Sequence, residues 1–345
     1  MTQPLRAAIA GCGGMSNHWL GILKNHREAV EIVGLADIAP GLAAKRADEH
    51  GLAGAVTGED IRVVLDACLP DVVFDLTIPE AHREVVLAAL ERGCHVLGEK
   101  PLADTIDNAR AMIAAARAAG RLYAVMQNRR YMEPIRRLRE HIASGAMGKL
   151  TTLNSDFYLA PRFGGFRDQM QHVLLLDMAI HTFDAARYLS GAKARSVQCL
   201  EWNPSNSWYK HGASAVAIFE LDNGAVYTYR GSWCADGLNT SWECDWRVVL
   251  ERGSVRWDGA AGFAAERLVK CEGFAAECEK VDLAPVDPRG KEGGHEGCIL
   301  EFLRCVRDGS TPETTAEDNF HSLAMVLAAI DAAGQRRAVD VQGLD

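Results

Sequence analysis

The 345-residue sequence lacks any apolar run close to the ~20 residues that a membrane-spanning helix requires. Its first residues, MTQPLRAAIAG, pass from Met1 almost directly into a strand-like run without a charged n-region, so no signal peptide is expected. Lysine and arginine form no block, and the formal net charge is −9 at pH 7, which argues against a nucleic-acid-binding surface. We therefore expect neither a membrane nor a nucleic acid as a partner.

The ten cysteines lack the spacing of metal or disulfide sites. No C-x-x-C occurs and no Cys/His pair has zinc-like spacing, so no metal site is expected. Cys298 and Cys305 suit one face of a helix, and Cys68, Cys94 and Cys199 lie in apolar segments. A reduced, cytoplasmic protein is the simplest interpretation.

The chain is about twice as long as one compact core, which predicts two domains. In residues 1–128, short apolar runs alternate with segments of helical periodicity. This alternation predicts an α/β fold with a doubly wound parallel sheet, that is, an N-terminal dinucleotide-binding (Rossmann) domain. The predicted strands are 5–10, 31–36, 72–77, 94–98 and 122–127, and the predicted helices are 15–26, 41–50, 80–92 and 105–119.

Residues 129–345 have a different texture, in which many segments alternate apolar and polar residues between turn signals such as DNGA at 222–225. This pattern predicts an α+β domain with a large, mostly antiparallel open sheet, for substrate binding and oligomerisation. Because a large apolar sheet face is rarely left in water, a homodimer or homotetramer is expected. The C-terminal helix, 316–334, is a candidate to pack back on the N-terminal domain. The predicted strands are 150–159, 195–201, 213–221, 224–233, 242–250 and 253–257. The predicted helices are 133–144, 173–189, 295–307 and 316–334.

The stretch GCGGMS at 11–16 follows a predicted strand and opens a predicted helix. Gly11 allows a tight turn, Gly13 lets the backbone approach a pyrophosphate, and the amides of Gly14 and Met15 begin a helix whose dipole favours an anion. Alone, such a stretch also fits an ordinary tight turn between a strand and a helix. Its context favours a dinucleotide site.

Asp37 ends the second predicted strand, where a carboxylate accepts the ribose 2′-hydroxyl of NAD. The same carboxylate repels the 2′-phosphate of NADP, so NAD is the expected cofactor and NADP the less favoured one. Lys45 and Arg46 lie nearby in sequence and are the reason to keep NADP open.

Three further segments resemble the motifs of a known protein family. The tripeptide EKP at 99–101, the segment TIPEAH at 77–82 and the spacing Asp177-x-x-x-His181 together resemble the glucose–fructose oxidoreductase / inositol dehydrogenase / MocA family over essentially the whole chain. The resemblance implies NAD(P)-dependent oxidation or reduction of sugars, polyols or related alcohols. It also implies a catalytic trio in which Lys100 and His181 share proton handling and Asp177 orients, and a Lys100–Pro101 peptide that is commonly cis.

The residues themselves favour the same interpretation. A lysine at the carboxyl end of a parallel strand lies at the crevice where doubly wound sheets bind ligands, and Pro101 restricts the backbone of Lys100. The alternative for Lys100 is a surface lysine that is salt-bridged to Glu99. Glu99 itself either anchors the cofactor ribose or holds the turn. Asp177, His181 and Asp184 have the spacing of residues that share one face of a helix. On that face His181 is the expected acid/base. The alternative is that Asp177 and His181 form a structural pair.

The remaining candidates rest on position alone. Cofactor contacts are expected from Thr77, Pro79, His82, Glu99, Lys100 and Asn128, each near the carboxyl end of a predicted strand. Substrate contacts are expected from Arg129, Arg162, Arg167, His172 and Asp184, although Arg162 and Arg167 equally suit a solvated loop. The aromatic residues Trp202, Trp208 and Tyr209 fit a core or an interface better than a sugar-stacking surface.

We expect an NAD(P)-dependent dehydrogenase or reductase that transfers a hydride between nicotinamide and a sugar, inositol or sugar-derived alcohol or ketone. A second possibility is an enzyme that recycles its NAD while it cleaves a glycoside. A third is a non-catalytic NAD-sensing regulator, which could dispense with Lys100 and His181, although both are present.

Overall fold

The computed structural model describes residues 3–260, 262–272, 274–287 and 290–344. They form two compact units. The first unit comprises the described residues up to Asn128 together with His295–Phe320. The second unit comprises Arg129–Gly294 and His321–Gly343. The chain thus returns to the first unit for residues 295–320, which the predicted division placed in the second domain.

The first unit contains a parallel sheet. Among the described residues its strand order is β3-β2-β1-β4-β5-β6, and every neighbouring pair is parallel. The strand order reverses between β1 and β4, which places the ligand crevice at their carboxyl ends. The strands are β1 (Leu5–Ala10), β2 (Val30–Ala36), β3 (Val56–Gly58), β4 (Val72–Asp75), β5 (His95–Gly98) and β6 (Tyr123–Val125).

The helices that alternate with these strands begin at recognisable signals. Asp60 caps α3 by accepting a hydrogen bond from the amide of Arg62, Thr105 caps α5 in the same way through Asn108, and Pro79 occupies the first turn of α4. The short strand β3 and helix α3 were not predicted, because a three-residue strand leaves little periodicity to detect. The helices are α1 (Gly14–Leu23), α2 (Leu42–Glu49), α3 (Ile61–Cys68), α4 (Pro79–Glu91) and α5 (Ile106–Ala119).

The second unit contains a large sheet whose order, within the described residues, is β14-β13-β12-β11-β7-β10-β9-β8-β15. Only β10 and β7 are parallel neighbours in that part of the chain; the other pairs are antiparallel. The predicted fold class of both halves is therefore confirmed. The strands are β7 (Leu150–Tyr158), β8 (Ala194–Trp202), β9 (Ser214–Leu221), β10 (Val226–Ser232), β11 (Asp245–Leu250), β12 (Gly253–Trp257), β13 (Phe263–Cys271), β14 (Ala276–Lys280) and β15 (Val339–Asp340).

Helices cover one face of this sheet and form the core of the second unit with it. Phe183 lies at the centre, with ring centroids 4.9 Å from Phe219 and 5.3 Å from Tyr229 in edge-to-face contact. The other face leaves apolar side chains such as Leu200 and Ile218 exposed. The remaining helices are α6 (Glu133–Ala143), a π-helical turn (Leu174–Ala179), α7 (Ile180–Ser190), α8 (His295–Asp308) and α9 (Ala316–Gln335). Helix α8 belongs to the first unit, and α9 begins in that unit.

Helix α8 is tied to the first unit by polar contacts. His26 and Glu296 lie 2.6 Å apart, and the Arg307 guanidinium donates to the carbonyl of Ala29 at 2.7 Å. None of the helices within the described ranges is both long and apolar enough to cross a bilayer.

Candidate functional site

The turn after β1 requires glycine at its first position. Gly11 has φ of +89°, and a Cβ there would lie 2.7 Å from the main-chain carbonyl of Leu76. By contrast, a Cβ at Gly13 or Gly14 would meet no atom of the described residues within 4 Å. Helix α1 begins at Gly14 without a side-chain cap, and the exposed Met15 follows. The Cα atoms of Gly13 and Gly14 therefore border open space at the start of α1, where a pyrophosphate could approach the main chain.

Asp37 lies directly after β2 and is held by main-chain donors. Its Oδ2 accepts a hydrogen bond from the amide of Cys12 at 2.7 Å, and its Oδ1 accepts one from Ala39 at 2.8 Å. These bonds fix the carboxylate beside the glycine-rich turn. A fixed carboxylate at this position suits the 2′-hydroxyl of an adenosine ribose.

A cleft of about 470 Å³ opens beside Asp37. Its apolar walls include Ile38, Ile61, Leu76 and Ile78, which suit the faces of an adenine ring. Its polar lining is mainly acidic. Among the described lining residues the one basic side chain is Arg62, which is ion-paired with Glu84 at 2.6 Å; the acidic lining residues are Asp37, Glu59, Asp60 and Glu84.

The two cations near Asp37 in sequence are both engaged. Arg46 is buried, donates to the carbonyl of Cys12 at 3.0 Å, and pairs with Glu49 at 2.6 Å. Lys45 lies 3.9 Å from the same glutamate, and its side chain is 70% exposed. The burial and pairing of Arg46 disfavour its use for a 2′-phosphate.

Glu99 points into the core of the first unit. Its Oε1 accepts a hydrogen bond from the indole of Trp19 at 2.7 Å, and its Oε2 accepts one from the amide of Lys100 at 3.2 Å. Burial raises the pKa of Glu99, while the Trp19 bond opposes that rise. The Lys100–Pro101 peptide is cis. Of the two roles expected for Glu99, holding the turn is the one this geometry favours.

His82 lies beneath the cleft and does not line it. Its side chain is buried, and its Nδ1 is 2.8 Å from Oδ2 of Asp75, whose Oδ1 accepts from the hydroxyl of Thr77 at 2.6 Å. Burial lowers the pKa of His82, but the Asp75 carboxylate outweighs it and the net pKa is raised. His82 therefore acts on the cleft through Asp75 and Thr77. Pro79 begins the adjacent helix α4.

His295 is a candidate that the sequence interpretation missed. It begins α8, and its Nδ1 lies 3.3 Å from the amide nitrogen of Asn128, while its ring centroid is 4.7 Å from that of His18. Burial lowers the pKa of His295 to about 4, and the charges of His18 and Lys100 add to this effect. The imidazole is therefore neutral and accepts from Asn128 at Nδ1. No local signal links residues this far apart in sequence.

In the second unit, Asp177 lies in the π-helical turn and His181 in the first turn of α7. π-helical turns are rare and frequent at functional sites. The Nε of Arg167 donates to Oδ2 of Asp177 at 2.6 Å. The loop arginine thus orients the carboxylate that precedes the candidate acid/base.

Asp184 does not join Asp177 and His181, which corrects the expectation of a shared face and of substrate contact. Its side chain is 0% exposed, and it accepts from Arg130 at 2.6 and 2.8 Å and from Ser322 at 2.7 Å. A buried carboxylate requires such partners.

Arg129 is likewise removed from the candidate substrate residues. Its buried guanidinium donates to the hydroxyl of Thr182 at 3.1 Å and pairs with Glu243 at 2.9 Å. These contacts hold the segment before β11 against α7. A charge committed in this way to the core is not available to a ligand.

His172 and Arg162 remain candidates near the π-helical turn. Nδ1 of His172 lies 2.5 Å from Oε2 of Glu201, a bond that raises the pKa of His172 against the opposing effect of burial. Arg162 is exposed, pairs with Asp236 at 2.9 Å, and lies 4.2 Å over the ring of Trp208. Tyr209 is buried and Trp202 is partly exposed, on the sheet.

Comparison with known proteins follows the same division of the chain. Residues 5–127 match the model described as "Oxidoreductase family, NAD-binding Rossmann fold", and residues 135–256 match "GFO/IDH/MocA C-terminal domain". The inositol 2-dehydrogenase of Streptomyces avermitilis is 31% identical over 99% of this chain and 96% of its own. The 1,5-anhydro-D-fructose reductase of Ensifer adhaerens is 26% identical over 98% of each chain.

Solved structures share the fold at lower identity. An oxidoreductase from Agrobacterium radiobacter, solved with NAD+, L-tartaric acid and magnesium, is 21% identical, with a TM-score of 0.84 over 98% of this chain and 99% of that one.

Proposed function

The chain belongs to the GFO/IDH/MocA oxidoreductase family with an NAD-binding Rossmann fold, and from this premise we propose that it oxidises or reduces a carbohydrate. The reaction moves a hydride between NAD and an alcohol carbon of a sugar, an inositol or a sugar-derived polyol. The observation that carries the proposal is the Asp177 carboxylate, oriented by Arg167 and followed one turn later by His181.

We propose that the first unit holds the cofactor by its main chain and by Asp37. The amides that begin α1, those of Gly14 and Met15, would bind the pyrophosphate, and Asp37 would accept the 2′-hydroxyl of the adenosine ribose. The acidic cleft lining and the engagement of Arg46 favour NAD over NADP. NAD, when bound, supplies the hydride acceptor at nicotinamide C4.

Three side chains handle the proton in this proposal. Oxidation would break the C–H bond and the O–H bond of the alcohol, with bound NAD as the hydride acceptor and a side-chain base as the proton acceptor. His181 would take the hydroxyl proton and Lys100 would share in its transfer, while Asp177 would orient these groups. His172, Arg162 and Asn128 remain expected contacts of substrate or cofactor.

The test is NADH formation on a panel of inositols, aldoses, polyols and glycosides. Lys100→Ala and His181→Ala should each lower turnover by about 10²- to 10⁴-fold, as expected when a proton-transfer group is lost. Exposed Arg83→Ala serves as a charge-matched control in the first unit. Full turnover by both variants on a substrate that the unmodified protein oxidises would contradict the assignment.

We also propose that the chain forms a homodimer or homotetramer through the outer face of its large sheet. Leu200, Ile218 and Val226 are exposed on the adjacent strands β8, β9 and β10. Apolar side chains grouped in this way favour association. Ile218→Asp should lower the mass measured by light scattering, whereas Val63→Asp, at a more exposed site on α3, should not.

A cytoplasmic location completes the proposal. No disulfide joins the ten cysteines, all of which lie in the described residues, and most of them are buried. Such thiols suit a reducing compartment. Cell fractionation would test this location directly.

A further inference from the structure

A row of aromatic side chains begins at the Asp177–Arg167 ion pair and runs along the surface of the second unit. Phe166, Phe163 and Trp242 form it, and they are 67%, 57% and 46% exposed. Large aromatic side chains grouped on a surface commonly mark a binding site.

Arg167 joins this row to the acidic site. Its guanidinium carbon lies 4.7 Å from the ring centroid of Phe166 and 5.3 Å from that of Phe163, within the range of cation–π contact. The same guanidinium donates to Asp177 at 2.6 Å. The Asp177 carboxylate and the two phenyl rings therefore contact the same guanidinium.

Trp242 extends the row on a rigid base. Its ring centroid lies 6.3 Å from that of Phe163 and 6.4 Å from each of the buried rings of Phe157 and Trp233. The buried rings position the indole while part of it stays exposed. The platform is thus supported by the core of the second unit.

An unsubstituted polyol would cover only part of this surface. An inositol hydrogen-bonded to Asp177, Arg167 and His181 could stack its C–H face on one nearby ring, but the centroid of Trp242 lies a further 6.3 Å from that of Phe163. A flat apolar group attached to the sugar would cover these rings and gain the free energy of their burial.

We propose that the preferred substrate is a glycoside with an apolar, aromatic aglycone, which stacks on Phe163 and Trp242 while the sugar is oxidised. This inference rests on the proposed function and deepens it. The sugar supplies the alcohol carbon, and the aglycone supplies the selectivity through contacts that do not take part in the hydride transfer.

The experiment uses matched methyl and phenyl glycosides of several sugars, with NADH formation and calorimetric binding as the two measurements. The phenyl member of at least one pair should have a kcat/KM about 10-fold higher or more, since apolar pockets discriminate to this degree. The double variant Phe163→Ala/Trp242→Ala should reduce this phenyl-to-methyl ratio to about one. Phe274→Ala, at an exposed aromatic residue outside the row, should preserve the ratio.

Each contrary outcome is informative. Equal kcat/KM for phenyl and methyl glycosides would overturn the inference while leaving the oxidoreductase assignment intact. A lower mass of the double variant in light scattering, with an unchanged ratio, would assign the row to contact with a second copy of the chain. If no carbohydrate yields NADH, the proposed function fails, and equal calorimetric binding of the two glycosides would then overturn the inference as well.

Discussion

The two units hold their acidic side chains in different ways. In the first, the Asp37 carboxylate is held by the main-chain amides of Cys12 and Ala39. In the second, the Asp177 carboxylate accepts from a side chain, Arg167, which also contacts exposed aromatic rings. Main-chain donors persist through side-chain substitution, whereas a side-chain donor is lost when its residue is replaced. We therefore expect cofactor binding to be the more robust property and substrate selectivity the more variable one.

The largest expected effect is on the free energy of unfolding, and it distinguishes two carboxylates of the second unit, Asp184 and Asp177. Asp184→Asn should lower the free energy of unfolding by about 3–5 kcal/mol, because it removes a buried negative charge that pairs with the guanidinium of Arg130. Asp177→Asn is the matched control. Its ion pair with Arg167 is partly exposed, so unfolding should change by about 1 kcal/mol or less while turnover falls.

Denaturant unfolding and NADH formation measure the two properties separately. Equal destabilisation by both variants would mean that Asp177 is a structural residue like Asp184. Loss of turnover without loss of stability in Asp177→Asn is the expected result.

A second prediction addresses the main-chain arrangement. Asp37→Ser should weaken NAD binding by about 10- to 100-fold, the range for a hydrogen bond to a charged group, and should narrow the preference over NADP. Calorimetric titration with each nucleotide measures both changes. Glu59→Gln, which alters another acid of the same cleft, should have a smaller effect on the NAD affinity. An unchanged NAD to NADP ratio in Asp37→Ser would contradict the role of this carboxylate.

A third prediction concerns His295, which we expect to position Asn128. His295→Ala should raise the KM for NAD by about 3- to 10-fold through loss of one hydrogen bond, with a smaller effect on kcat. His295→Asn, which keeps a polar side chain, should restore part of the affinity. The control His26→Ala removes a neighbouring contact with Glu296 and leaves Asn128 untouched. A KM that stays constant in His295→Ala would show that Asn128 needs no support.

The smallest effect should come from the pH dependence of the His172–Glu201 pair. Because the folded-state pKa of His172 is raised above 6.5, the pair stabilises the fold below that pH, and this contribution is lost as the pH rises through the folded pKa. The partial exposure of His172 limits the contribution to about 1 kcal/mol or less. Unfolding of His172→Gln measured on both sides of pH 6.5 should show a flatter profile than the unmodified protein. The same slope in both proteins would assign the pH dependence to another group.

Prediction from the sequence succeeded best where the signal is local. The glycine-rich turn, the alternation of strands and helices in the first half and the alternating strands in the second are all short-range patterns, and the fold class deduced from them is confirmed. The roles of Lys100, Asp177 and His181 stay predictions that the proposed variants would test. Strand β3 has three residues, too few for a periodic signal, whereas helix α3 was not predicted although it is as long as α2.

Contacts between distant residues could not be deduced in this way. Asp184 and Arg129 have the residue types of a binding site, but each is surrounded in the folded chain by partners that neutralise it in the core. Nothing in their immediate neighbours distinguishes a buried structural charge from one that faces a ligand. The same limit applies to His295, whose hydrogen-bond partner is Asn128.

The sequence alone therefore determined the two-part α/β and α+β organisation, the dinucleotide turn and the family, because backbone sterics and apolar periodicity act over a few residues. Only the tertiary structure decided which charges are buried, that residues 295–320 return to the first unit, and that aromatic rings border the Asp177–Arg167 pair. The physical reason is that desolvation and pairing of charges depend on every side chain that reaches them, wherever it lies in the sequence.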